Sequence, residues 1–325
     1  MIAIDDYLHA ATRENTRRSY RAAVKHFEEE WGGFLPATAD GILRYLARYA
    51  GVLAHNTLKQ RVSALGQWHI DQGFPDPTKA PVVRKMLRGI QEVHPAQERR
   101  ARPLQLDALE QAVGWLEQQQ DLARQQGRSA DLLRHGRDKA LLLIGFWRGF
   151  RSDELARLEV ERIEAVAGQG MRIQLPRTKT DRSLKGSTYL TPALSRLCPV
   201  AAYLDWLAVS GVRSGPVLRG INRWGRISED AIHAASIIPL LRRILGAAGI
   251  ADVHLYSAHS LRRGFASWAS ANGWELRALM EYVGWKNISS ASRYVDSHDP
   301  YHRDMLERLL PPKPLPSPAI DAPDS

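Results

Sequence analysis

Residues 258–266 read Ala258-His259-Ser260-Leu261-Arg262-Arg263-Gly264-Phe265-Ala266, with Trp268 and then Gly273 beyond them. The pattern predicts a helix over 259–270, on which His259 and Arg262, three apart, share a face and can hold one anion. An H-x-x-R pair alone is common by chance, so its company decides what it means. Upstream stands Gly149-Phe150-Arg151-Ser152-Asp153-Glu154-Leu155, and then Arg177-Thr178-Lys179-Thr180-Asp181. Downstream, Gly284-Trp285 is followed by Tyr294 within Ser292-Arg293-Tyr294-Val295-Asp296. Two arginines, a lysine and a histidine suit a phosphate whose charge grows during reaction. A tyrosine hydroxyl supplies an attacking nucleophile.

Each of these stretches has a local reading. Ser152 suits the N-cap of a helix over Asp153–Leu158, which places Arg151 beside open backbone N–H groups, and one helical turn brings Glu154 back to orient its guanidinium. Alternating residues predict strands over Met171–Leu175 and Thr188–Thr191, a hairpin with Lys179 in its polar connection and Lys185 as a second candidate. Arg263 is expected to point away from His259, as a backbone-binding or surface residue. A second strand pair is expected over Pro216–Arg219 and Gly225–Ile227. Helices are expected over 106–124, 138–147, Glu229–Leu245, Leu276–Val283, Ile288–Ser297 and Asp299–Leu310.

Composition sets the outer bounds. The chain has 325 residues, 44% hydrophobic and 25% charged, enough for two ordinary globular domains. A net charge of +10 mildly favours a polyanionic partner. The single cysteine, Cys198, excludes an internal disulfide and reads as a small buried hydrophobe. The apolar run Leu141–Ile144 is soon broken by Arg148, and no stretch reaches membrane-spanning length. With no secretory signal at Met1–Asp6, a cytoplasmic protein is expected.

The first hundred residues read as helices. Thr16, Tyr20, Ala23 and Phe27 recur at helical spacing beside Arg17 and Arg21, and a second helical stretch covers Ala37–Tyr49. A third starts near Asn56 with Leu58, Val62 and Leu65 on one face and Asn56, Lys59 and Gln60 opposite. On Pro81–Val93 the apolar stripe Val83, Met86, Leu87, Ile90 leaves Arg84, Lys85 and Arg88 facing away. Two helices with such side chains opposite their apolar faces favour DNA. Residues 94–103 carry Arg99 and Arg100 and read as a basic linker able to follow a phosphate backbone. After Leu310, proline density predicts an extended or disordered tail.

Taken together, the order and spacing of the boxes resemble those of the tyrosine recombinases, the integrase-type DNA strand-exchange enzymes. The resemblance implies a mainly α fold. Residues 1–95 would form a helical core-binding (SAM-like) DNA-binding domain, 96–103 a linker, 104–310 a mostly helical catalytic domain with small β-hairpins, and 311–325 a tail. It implies Tyr294 as nucleophile, Lys179 as general acid, and Arg151, Arg262, His259 and Trp285 around the phosphate, with Glu154 in support. Tyr282 comes too early in the motif and Tyr301 too late. Trp285 stands where a histidine is more usual, as in Cre-like members; an indole donates one hydrogen bond and relays no proton. The implied partners are double-stranded DNA with a specific target site and three further copies of the chain, four protomers on two sites, joined through a Holliday junction. No metal, nucleotide or other cofactor is implied, and no membrane; a nucleoid-associated place in the cytoplasm follows. A type IB topoisomerase and a non-catalytic DNA-binding relative are the rival readings.

Overall fold

A computed structural model describes residues 14–95, 101–176 and 186–291. The chain divides into two compact units, Met1–Arg99 and Arg100–Ser325. The first consists of α1 (Glu14–Lys25, running into a π-turn at His26–Glu30), α2 (Ala39–Tyr49), α3 (His55–Asp71) and α4 (Pro81–Val93). Thr38 starts α2 by accepting from the Gly41 N–H at 3.1 Å, and Pro81 starts α4 where its missing N–H costs nothing. The apolar stripes meet around Phe27, Ile42, Leu46, Leu58, Leu65 and Val83, all nearly inaccessible to solvent. His69 is buried with both ring nitrogens used: Nδ1 donates to Leu65 O at 2.7 Å and Nε2 accepts from Ala37 N at 2.8 Å. Those partners fix its tautomer and tie α3 to the segment that leads into α2.

The second unit contains α5 (Leu106–Gln125), α6 (Ser129–Arg148) and α7 (Ser152–Ala156), then an antiparallel sheet of β1 (Ile163–Val166), β2 (Gly170–Leu175) and β3 (Ser187–Pro192). There follow α8 (Pro199–Ser210), the hairpin β4 (Arg219–Ile221) and β5 (Ile227–Ala231), α9 (Ile237–Ala247), α10 (Ala258–Ala271), α11 (Leu276–Val283) and α12 (Ile288–Ala291). The fold is mainly α. No helix among the described residues is long and apolar enough to cross a membrane. Helix α6 is the spine, packed by α5, α8 and α10, and its residues Ala140–Phe146 are almost wholly buried. Helix α10 is fixed at its start: Leu104 N donates to Ser260 O at 2.9 Å, and a Cβ on Gly264 would fall 2.0 Å from Leu104 O. Only glycine allows that approach.

Four expectations are corrected. The helix read over 138–147 begins at Ser129, because its polar first half is held by ion pairs such as Arg134–Asp131 at 2.9 Å rather than by an apolar stripe. The hairpin around Lys179 gains a third strand, β1, whose four residues are too few to show alternation. The second strand pair is displaced: Pro216 bridges Glu159, and pairing runs instead between Arg219–Ile221 and Ile227–Ala231. Glu229 and Asp230 therefore belong to β5, and the helix read from Glu229 starts at Ile237.

Asp138 shows how charge holds this core. Its side chain is 1% exposed and meets Arg137 at 2.6 Å and Arg243 at 3.1 Å, while Arg137 also donates to Arg219 O at 3.2 Å. The three residues lock α6, α9 and β4 together. Asp138→Ala strips the buried Arg137 of its counter-charge and is expected to cost about 3–5 kcal/mol of stability. Urea unfolding followed by tryptophan fluorescence reads this; a loss below about 1 kcal/mol would show that the network contributes little.

Candidate active site

The turn between α6 and α7 brings the two arginines of the sequence motifs together. Arg151 occupies the N-cap position of α7, and Glu154 reaches back to it: one carboxylate oxygen accepts from Arg151 N at 2.8 Å, the other from Arg151 Nη1 at 2.7 Å. Ser152, expected as the cap, is instead the first helical residue, because the first helical hydrogen bond runs from Leu155 N to Arg151 O at 2.9 Å. The Glu154 side chain is 2% exposed and also lies 3.8 Å from Arg262 Nη2 on α10. One buried carboxylate thus sits between two guanidinium groups that arrive from different elements. Arg262 is equally buried, and its Nε donates to Gly149 O at 2.5 Å. Gly149 has φ 55, and a Cβ there would crowd Val283 Cγ1 at 3.2 Å. The glycine therefore permits both the turn and the close approach of Val283.

Trp285 lies beside Arg262. It is 5% exposed, with the Arg262 guanidinium 5.7 Å from its ring, so it packs the site as a wall. His259 is exposed at the first turn of α10. Ser257 caps that turn: its hydroxyl accepts from His259 N at 3.2 Å while its own N–H donates to Ser260 Oγ at 2.9 Å. Tyr189 of β3 completes the wall, edge-on to Phe150 with ring centroids 5.1 Å apart. Burial, reinforced by the Glu154 carboxylate, pushes its phenol above the ordinary range, so Tyr189 stays protonated. A guanidinium is a planar fork of donors that suits the oxygens of a tetrahedral anion, and two such groups here share one carboxylate.

The described residues therefore join Arg151, Glu154, Arg262 and Trp285, with His259 on the same helix as Arg262. Lys179, Lys185, Tyr294, Tyr301, Arg99, Arg100, the helix read over Asp299–Leu310 and the proline-rich tail lie outside them. Arg263 is corrected: it is 7% exposed, buried like every residue from Ser260 to Ser267 because α10 is covered on nearly all sides. Cys198 is only half-buried and acts as a cap, its Sγ accepting from Leu194 N at 3.3 Å and Ala201 N at 3.4 Å. In the first unit Arg21, Asn56, Lys59, Arg84, Lys85 and Arg88 are exposed. Arg17 instead pairs with Glu14 at 2.5 Å, and Gln60 donates to Ser19 Oγ at 2.6 Å.

Arg148, one residue before Gly149, is fully buried beside the site. No periodicity marks it; the sequence signal is a lone arginine closing the apolar run of α6.

Residues 130–300 match the Phage integrase family. The chain is similar to the integrase/recombinase XerD homolog of Selenomonas ruminantium, 26% identical over 311 residues that cover 93% of this chain and 87% of the relative. It is also similar to the recombinase Cre of Escherichia phage P1, 27% identical over 297 residues, with 87% and 82% covered. Among solved structures, the XerH site-specific recombinase bound to palindromic difH substrate superposes with a TM-score of 0.60 at 18% identity, covering 90% of this chain and 77% of that one, a likeness of fold. Over half of the chain matches the family, its relatives span nearly its full length, and its fold is theirs: the protein belongs to the phage integrase family and is an enzyme of the tyrosine recombinase class.

Proposed function

We propose that the protein cuts and rejoins double-stranded DNA at specific sites through a 3′-phosphotyrosine on Tyr294. The phenol oxygen of Tyr294 bonds to the scissile phosphorus, its proton passing toward His259. The bond from phosphorus to the 5′ oxygen breaks, and that oxygen takes a proton from Lys179. Arg151 and Arg262 hold the non-bridging oxygens, with Trp285 as packing wall and hydrogen-bond donor. The 5′ hydroxyl of a partner strand then attacks the phosphotyrosine, regenerating Tyr294 and sealing the exchanged strand. Four protomers on two sites pass through a Holliday junction by repeating the step. The ester is conserved in the covalent link, so the cycle consumes no nucleotide. Arg17, Arg21, Asn56, Lys59, Gln60, Arg84, Lys85, Arg88, Arg99 and Arg100 are assigned to DNA binding, and the protein to the nucleoid.

The observation that carries this reading is the convergence of Arg151 and Arg262 on the buried Glu154 carboxylate, 2.7 and 3.8 Å away. A cradle so placed fits a phosphodiester, and the relatives named above include a recombinase bound to its DNA substrate. The test uses labelled DNA tiles from the gene's own neighbourhood, nicked to trap the intermediate, with chelator present, run on a denaturing gel. A covalent protein–DNA band is expected on the tile that carries the site. Native binding to a tile without that band would overturn the phosphotyrosine chemistry and favour a non-catalytic binder.

A further inference from the structure

Arg148 is the last residue of α6 and is only 2% exposed. Its Nη1 donates to Leu190 O of β3 at 3.1 Å, and its Nη2 donates to Tyr282 O near the end of α11. The guanidinium lies 3.9 Å from the Tyr282 ring, 4.9 Å from Tyr189 and 6.0 Å from Phe150. Its Nε is buried without a hydrogen-bond partner among the described residues, and none of their carboxylates lies within ion-pair distance. Burial draws its pKa below that of an ordinary arginine, opposed by the surrounding Tyr282 and Tyr189. A cation enclosed by rings and carbonyls is an expensive way to fill a core, and an apolar side chain of similar length would fill the same space at less cost.

Its contacts explain why a cation is there. Three segments meet at this one side chain. The first is the turn at Gly149 and Arg151, which continues directly from it. The second is strand β3, which with β2 forms the hairpin whose connection carries Lys179. The third is the end of α11, two residues before Gly284 and Trp285; Trp285 N in turn donates to Met280 O at 2.7 Å. Tyr189 belongs to the same junction: a Cβ on Gly284 would stand 3.1 Å from its ring. Backbone carbonyls of two separate segments can be bridged over this span by a guanidinium fork, whereas an apolar residue fills space and fixes no register.

We propose that Arg148 is a positioning residue for the general acid: it fixes the base of the β2–β3 hairpin against the arginine turn and the Trp285 segment. This rests on the reading of Lys179 as proton donor. Loosening the hairpin base displaces the donor by a fraction of its reach, and proton delivery to the 5′ oxygen slows while phosphate binding persists.

The test compares cleavage of nicked site DNA carrying a normal 5′ oxygen with the same DNA carrying sulfur at that bridging position. A thiolate leaves without protonation, so sulfur removes the need for the acid. Arg148→Met is expected to cleave ordinary DNA about 10- to 100-fold more slowly than wild type. On the sulfur substrate it should come within about threefold, with DNA binding retained. Arg148→Lys, which keeps a donor, should fall between the two, and it carries the comparison if the methionine variant unfolds. Lys179→Ala is run on both substrates. Sulfur that rescues Lys179→Ala but leaves the Arg148 variants equally slow would show that Arg148 merely supports the fold. Sulfur that rescues neither would overturn the general-acid reading and the proposal with it.

Discussion

Replacing Tyr294 by phenylalanine is expected to abolish the covalent DNA adduct, lowering strand cleavage by about 10⁴-fold or more, as removal of a nucleophile does. The aromatic ring is kept and only the oxygen that would bond to phosphorus is lost. DNA binding should therefore change by less than about tenfold, the worth of one hydroxyl hydrogen bond. The measurement is a denaturing gel for the adduct beside a native gel for binding, on the same nicked DNA. An adduct that persists in Tyr294→Phe would move the nucleophile to another residue.

The second large effect is expected at Arg262. On the proposed chemistry Arg262→Ala removes one preorganised cation from the phosphate cradle, worth about 2.7–4 kcal/mol of transition-state stabilisation, or roughly 10²–10³ in cleavage rate. The same change takes the guanidinium away from Gly149 O and from Glu154, so part of the measured loss would be structural. Arg151→Ala separates the two contributions. Arg151 is 22% exposed against 2% for Arg262, so its removal should slow cleavage comparably while moving the urea midpoint less. Cleavage unaffected by either change would remove both from the chemistry.

How much of this is visible in the residues depends on where the information lies. Helices with an unbroken apolar stripe, such as Pro81–Val93 and Leu276–Val283, are read to the residue because burial and helical period coincide. The start of α6 is missed because its first half is polar and held by ion pairs such as Arg134–Asp131 in place of an apolar stripe, and sequence patterns treat charge as surface. The pairing of β4 with β5 is misplaced for a different reason. Short exposed strands carry little pattern, and register there follows the turn at Asn222, whose side chain accepts from Trp224 N and Arg226 N at 3.0 Å. The contact between Arg151 and Glu154 is local and follows from one helical turn. The contact between Glu154 and Arg262 is long-range, created when α10 closes over Gly149. Arg148 is hardest to see, because its role exists only after β3 and α11 have arrived.

Glu154 also determines how much charge the cradle holds. Two guanidinium groups and one carboxylate leave a single net positive charge, equal and opposite to one resting phosphodiester. The in-line transition state carries a second negative charge. On the proposed chemistry that surplus falls to Lys179 and His259, which stand outside the neutralised trio. On that reading a carboxylate shared by the two arginines lowers the grip on intact DNA and leaves the later charge to be met by other groups. On the proposed chemistry the site would then discriminate between substrate and transition state by arithmetic as well as by shape.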